Sequence, residues 1–294
     1  MRILTAAPEM PSLNEADIGK LLKGIDIPPC PAVLSALLAE MHRDDANIAR
    51  ISKLITQDVA LAAGIMKVAN SSFFQPARQV GSITEALGFL GFGQVFNLLV
   101  KEVLQKSVGD APGQRLDRYW DSAAYCAVAC ANLSLALPGT TRDNAYCFGL
   151  FHDCGIPVLM RRFPDYRETL KLANTDERRQ FTRIEEARHG TQHAVIGHLI
   201  SRNWGLAPAV SEAILSHHDL SLFEDRQSVS HETLTLIGIN LIAEHLVGLV
   251  LRDNSDGEWE RARPLVADFF GLSQANLTDL VDDMLYRIEM RKAA

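Results

Sequence analysis

The chain has 294 residues, 47% of them hydrophobic and 22% charged, and carries a formal net charge of -7. That length suits one large domain or two lobes with room for a buried core, and the balance excludes a disordered, collagen-like or fibrous chain. A mildly acidic chain is also a poor candidate for wrapping nucleic acid or lying on an anionic membrane.

Aromatic residues make up 7%, and Ala and Leu dominate the apolar set, which leans towards helix. The five cysteines, Cys30, Cys126, Cys130, Cys147 and Cys154, are odd in number and form no C-x-x-C pair. The first residues, MRILTAAPEM, lack the apolar run of a signal peptide. Together these predict a reduced, cytoplasmic setting with buried thiols.

Ser12 and Glu15 have capping-box spacing before LLKGI, and Pro31 is placed to start a helix from Ala32 to about His42. Asp44 or Asp45 is expected to cap the next helix, which carries Ile48, Ile51, Leu54 and Ile55 on one face. Asp58 reads as a cap and Asn70 as a helix end, flanking an apolar helix over Val59–Val68. Ser82 and Glu85 form a second capping box, Gly91 stops that helix, and Gly93–Leu104 forms another. The turn-rich stretch from Val108 to Gln114 marks a lobe boundary. Beyond it helices are predicted over Tyr119–Leu137, over Asn144–Phe163 with interruptions at Gly155 and Pro157, and over Arg183–Trp204. Pro208–His217, Glu232–Arg252, Trp259–Phe270 and Gln274–Met290 follow, the last capped by Ser273. The apolar stretch Leu234–Leu251 is interrupted by Asn240, Glu244 and His245, so it reads as a core helix and not a membrane span. The pattern is all-α, in three parts: an N-terminal lobe over 12–108, a second lobe over 115–252 and C-terminal helices over 258–294.

The chemical signal lies in the second lobe. His152 and Asp153 are adjacent in GLFHDCG, His189, His193 and His198 fall on one predicted helix, and His217-His218-Asp219 follows. Imidazole and carboxylate ligands at helix ends suit Fe, Mn, Zn or Mg ions that activate water against a phosphoester. The bland alternative is a set of hydrogen-bonded packing histidines.

The chain resembles HDOD proteins, the HD-related output domains of bacterial signalling proteins. In the first lobe the resemblance rests on IPPCPAV (27–33), LITQDVAL (54–61), VANSSFF (68–74) and SITEALGFLG (82–91). In the second it rests on YWDSAAYCA (119–127), FGLFHDCG (148–155), HGTQHAVIGHLISRNWGLAP (189–208) and AILSHHD (213–219). It implies a two-lobe helical fold whose second lobe is related to metal-dependent HD phosphohydrolases. Set against those enzymes, Ser122 takes the place of a first His ligand and Asn240 that of a late Asp. Both are weaker ligands for a divalent cation. The resemblance therefore implies a vestigial pocket of Ser122, His152, Asp153, His193, His217, His218 and Asn240, with no catalytic residue, cofactor or resident metal. Any residual ion would fall to His152, Asp153, His193 and His217. The implied function is a non-enzymatic signalling or scaffold module with protein partners, in a nucleotide second-messenger or related pathway. A residual phosphohydrolase and a sensor of a small nucleotide or phosphate ligand are the alternatives.

Other residues read structurally. An i, i+4 contact from Glu185 to His189 is expected; Glu185 or Glu186 could also back a ring N–H, with a solvated face favoured. Cys126 and Cys130 read as two buried thiols one turn apart, and Trp204 as core. Cys147 and Cys154 flank the HD pair, and Arg161-Arg162 and Arg178-Arg179 are short basic pairs on solvated faces. Phe73, Phe74 and Phe92 are candidate partner anchors beside the groove between the lobes.

Overall fold

Ala- and Leu-rich segments punctuated by caps and glycines fold into helices, with no strand among the described residues. The computed structural model describes residues 24–41, 47–70, 76, 78–109, 116–175, 180–251 and 257–293. The first five helices are α1 (Ala32–Met41), α2 (Ile48–Thr56), α3 (Val59–Ala69), α4 (Ile83–Leu90) and α5 (Phe92–Val108). They pack mainly on one another around Leu34, Leu37, Ile55, Leu61, Ile65, Leu99 and Leu104, all fully buried. Capping residues set their limits. Asp58 accepts from the amides of Ala60 and Leu61 at the start of α3. Ser82 Oγ accepts from Glu85 N, while the Glu85 carboxylate reaches Gly81 N, one residue before the position a strict capping box would use. Asn70 ends α3 with φ -94°, so it does not take the left-handed conformation. Its amide instead bonds Met66 O, Val80 O and Val80 N, tying the helix end to the chain before α4. The cap of α2 is Asn47, whose Oδ1 accepts from Ala49 N at 2.7 Å, and not Asp44 or Asp45. An acceptor one residue before the helix reaches the second and third amides, which residues further upstream cannot.

The second group comprises α6 (Asp117–Leu133), α7 (Arg142–Phe151), α8 (Gly155–Arg162), α9 (Tyr166–Thr175), α10 (Phe181–His189), α11 (His193–Asn203) and α12 (Pro208–Ser216). A 3-10 turn at Leu220–Phe223, α13 (His231–Leu251), α14 (Gly257–Phe269) and α15 (Gln274–Ala293) complete the described chain. Helix α13 is apolar nearly all round and runs through the core against α6, α7, α12, α14 and α15. By length and composition it could cross a membrane, but 67% of its most apolar stretch is buried inside the fold, as a core helix requires. Ser273 caps α15 through the amide of Asn276.

One predicted helix is two. The stretch read as Arg183–Trp204 breaks after His189, where Gly190 takes φ +71° and Gln192 is extended before α11. Only glycine adopts that left-handed cap without strain, and it ends a helix whose apolar periodicity runs on past it. The two groups of helices meet where α5 packs on α7 and where the Trp204 indole donates to Pro28 O at 3.0 Å. Trp204 is core, as expected. Residues 110–115, Ser12, Glu15, His42, Asp44, Asp45, Phe73, Phe74, Arg178, Arg179 and the side chain of Phe92 lie outside the described residues.

Candidate functional site

Two glycines bring the HD segment into place. A Cβ on Gly149 would stand 2.8 Å from Cys130 Sγ and 2.9 Å from Ala127 Cα, so α7 lies directly on α6. A Cβ on Gly155 would collide with the carbonyl oxygen of His193, so the start of α8 is pressed against the start of α11. Between these glycines His152 caps α7, and Asp153 sits in the turn before α8. The break at Gly190 supplies the opposite wall. In a continuous helix Glu185 and His193 would be about 12 Å apart. The fold-back brings the Glu185 carboxylate within 2.7 Å of His193 Nδ1.

Four imidazoles converge from these elements. His152 Nδ1 is 2.9 Å from Gly149 O, His217 Nδ1 is 2.8 Å from Ile214 O, and His218 Nδ1 is 3.0 Å from Glu258 Oε1. His193 completes the set through Glu185, which also accepts from the Tyr166 hydroxyl and is wholly buried. On the far side of the rings, His193 Nε2 is 3.2 Å from Asp153 Oδ1 and 3.3 Å from His217 Nε2. His217 Nε2 is 3.7 Å from the same Asp153 oxygen. His152 Nε2 lies 3.5 Å from Asp153 Oδ2 and 3.4 Å from Glu244 Oε1. Phe181 stacks on His218 and meets His193 edge-on, closing one side. Asp153 and Glu244 keep 27% and 28% of their side chains exposed, so the cluster opens to solvent at its carboxylates.

The charges respond to this packing. Burial is the largest influence on His152 and disfavours its charged form, but Asp153, Cys126 and Glu244 together outweigh it and hold the ring's pKa well above 6.5. Burial is the largest influence on His193 as well, but Glu185 and Asp153 together overcome it and push the ring up to about 10. His217 goes the other way, down to about 3, through burial and its neighbour His218. Asp153 stays low despite its surroundings because His152, His193 and His217 all favour its charged form. Burial raises Glu244, with His152 opposing.

The structure thus brings together His152, Asp153, His193, His217 and His218. Asn240 borders them without meeting Asp153. Its Oδ1 accepts from the thiols of Cys126 and Cys130 at 3.2 and 3.5 Å, and its Nδ2 donates to Glu244 Oε2 at 3.0 Å. Ser122 is half-buried on α6, and none of the described hydrogen bonds joins it to the cluster. The expected Glu185–His189 contact is replaced: Glu185 turns to His193, while His189 Nε2 bonds Thr169 Oγ1. Glu185 is therefore the buried partner of a ring and no part of a solvated face. His198 faces away and bonds Ser211 O. All five cysteines are free, and only Cys30 is not fully buried. Glu244, Glu258 and Tyr166 were missed. Glu244 did carry a signal, as an ionisable residue inside an apolar helix one turn beyond Asn240.

A helical scaffold whose second half gathers His-Asp, His and His-His around one point defines the HD-like class. The chain belongs to the HDOD domain family, whose model matches residues 27–220. It is 27% identical over 202 residues to an uncharacterized protein of Treponema pallidum (strain Nichols); the match covers 66% of this chain and 38% of that one, so the chain spans about two fifths of its relative. In solved structures the fold recurs in an HDOD domain protein of Geobacter sulfurreducens at 21% identity, TM-score 0.69, over 93% of this chain and 94% of that one. It recurs in a Marinobacter aquaeolei VT8 protein provisionally named for signal transduction, at 23% identity and TM-score 0.72, over 91% and 58%. A Shewanella amazonensis SB2B protein provisionally named a phosphohydrolase shares it at 21% identity and TM-score 0.67, over 90% and 94%. At these identities the likeness shows the fold.

Proposed function

We propose that this HDOD protein is a cytoplasmic regulatory module that acts by binding other proteins, without turnover at its His/carboxylate cluster. The observation that carries the reading is the state of Asn240. The amide that stands where hydrolases carry a late Asp is buried and committed on both ends, to two thiols and to Glu244. It has no lone pair left for an ion or a water. Ser122 offers no imidazole from α6. The provisional signal-transduction name of the Marinobacter protein agrees with this reading. The phosphohydrolase reading has one specific observation behind it, the Glu244 carboxylate 3.4 Å from His152 Nε2, and the Shewanella name beside it.

The two readings separate on what the partners recognise. The test is cross-linking in the source cells followed by mass spectrometry, with the wild-type chain and with a folded Asp153→Asn variant. A scaffold predicts the same cross-linked proteins for both, because the helical surface is unchanged. Partners lost with Asp153→Asn would show that the chemistry of the cluster, and not the surface, is what the pathway reads.

A further inference from the structure

The described hydrogen bonds that join the first group of helices to the second all run between residues 28–30 and the end of α11. Pro28 O accepts from Trp204 Nε1 at 3.0 Å and from Asn203 Nδ2 at 3.4 Å. Cys30 Sγ stands 4.0 Å from Trp204 O. Phe151 meets the Trp204 ring edge-on, with centroids 5.6 Å apart, and steadies the indole. Upstream, the Arg162 guanidinium lies against the backbone of Gly24, 3.1 Å from where a Cβ would stand. Ile25 and Pro28 are buried, while Asp26 and Pro29 are exposed. The chemistry of the stretch matches its seat. Pro28, Pro29 and Pro31 have no N–H and a φ fixed near about −65°. Ile27, Pro28 and Cys30 each precede a proline, which holds them extended. Residues 25–31 accordingly belong to no helix or strand. Such a segment is extended before it docks, so it loses little freedom, and it presents carbonyl oxygens with few amides to satisfy. An indole N–H and a side-chain amide supply the donors those carbonyls need, and aromatic grooves read proline-rich peptides in this way. The stretch is also separable. Leu34 and Leu37 bury α1 against α2 and α5, so residues 25–30 can lift from Trp204 with α1 in place.

We propose that Trp204, Asn203 and Phe151 form a docking seat for an extended proline-containing segment. Residues 25–31 occupy it as an internal ligand, and a proline-containing segment of a partner protein takes their place. The partner's chemistry follows from the occupant: an aliphatic residue, then a proline whose carbonyl faces the indole, then a second proline. Because the internal segment is attached, it competes at an effective concentration on the order of millimolar. The seat is therefore held closed until a partner segment is tethered beside it by a second contact. The inference rests on the regulatory reading for the existence of a partner, and it uses no residue of the His/carboxylate cluster.

The test uses the full chain with isotope-labelled tryptophans, whose indole signals come from Trp120, Trp204 and Trp259. Trp204→Phe assigns the signal in question. The probe is a synthetic peptide of residues 25–31, IDIPPCP, carrying Cys30→Ser. In the full chain Pro28→Gly frees the backbone of the internal segment and should move the Trp204 indole signal. Circular dichroism melts establish that this variant is folded. Adding the peptide to it should return the signal to its wild-type position in a saturable titration. A peptide that also carries Pro28→Gly and Pro29→Gly should bind at least about tenfold weaker, because its extended form is no longer prepared in advance. The wild-type chain alone also decides. Its Trp204 indole proton should exchange with solvent at least about tenfold faster than the slowest amides of α13, since the segment releases locally. Indole exchange at the rate of global unfolding, an unmoved indole signal in folded Pro28→Gly, or no saturable binding of the peptide would overturn the proposal. If the peptide fails while partners still cross-link to the wild-type chain, this seat is removed and the regulatory reading stands.

Discussion

Glu185 is the residue on which the aim of His193 depends. It is wholly buried, holds the ring by Nδ1 and is itself held by the Tyr166 hydroxyl. Removing one partner of a buried charged pair strands the other, at a cost of about 3–5 kcal/mol. Glu185→Ala should therefore lower unfolding stability by that amount in urea melts; a loss under about 1 kcal/mol would show that His193 is held by something else. His198 carries a pH dependence outside the cluster, in the same direction as that of His217. Burial disfavours its charged ring and lowers its pKa below 6.5 in the folded chain. The folded state then binds fewer protons at this site than the unfolded state does. Its contribution is fully present above pH 6.5 and is lost as the pH falls below that value. His198→Gln should flatten the fall in urea midpoint on the acid side of pH 6.5, and an unchanged slope would contradict the assignment.

At the scale of elements, the caps of α3, α4 and α15 were legible, whereas the cap of α2 and the fold-back were not. Asp58, Ser82 and Ser273 announce helix starts because a short side-chain acceptor before an apolar run satisfies amides that the helix cannot. Gly190 was passed over because apolar spacing continues on both sides of it, and periodicity cannot see a left-handed residue that changes the helix direction. That single residue turns three histidines predicted to share a helix into one in the cluster and two outside it. The close seat of α8 on α11 makes a prediction of its own. Gly155→Ala would drive a methyl into His193 O, and overpacking of this kind costs about 1–3 kcal/mol or more. The expected readout is a lower melting temperature together with a shifted His193 ring resonance, because His193 moves with its backbone. A variant with wild-type values in both would show that the contact relaxes freely.

At the scale of the molecule, both groups of helices were readable from composition and punctuation, and the HD-like half from His152-Asp153 and His217-His218. What the sequence concealed is how polar side chains enter an apolar helix from the side. Glu244 looks like an interruption of α13 until the fold sets it beside His152, and Glu258 looks like a surface residue until α14 brings it to His218. Segments that carry the family resemblance in each half touch at Trp204 and Pro28, so the cluster and the first helices belong to one packed body. The central proposal is that the chain regulates by contact and that its cluster does not turn substrate over. It is tested most directly by phosphorus resonance of a phosphodiester or cyclic dinucleotide incubated with the chain in buffer containing Mn2+. The account predicts substrate signals that keep their area beyond the loss caused by free cations alone. A product signal that grows in proportion to protein and vanishes with Asp153→Asn would contradict it.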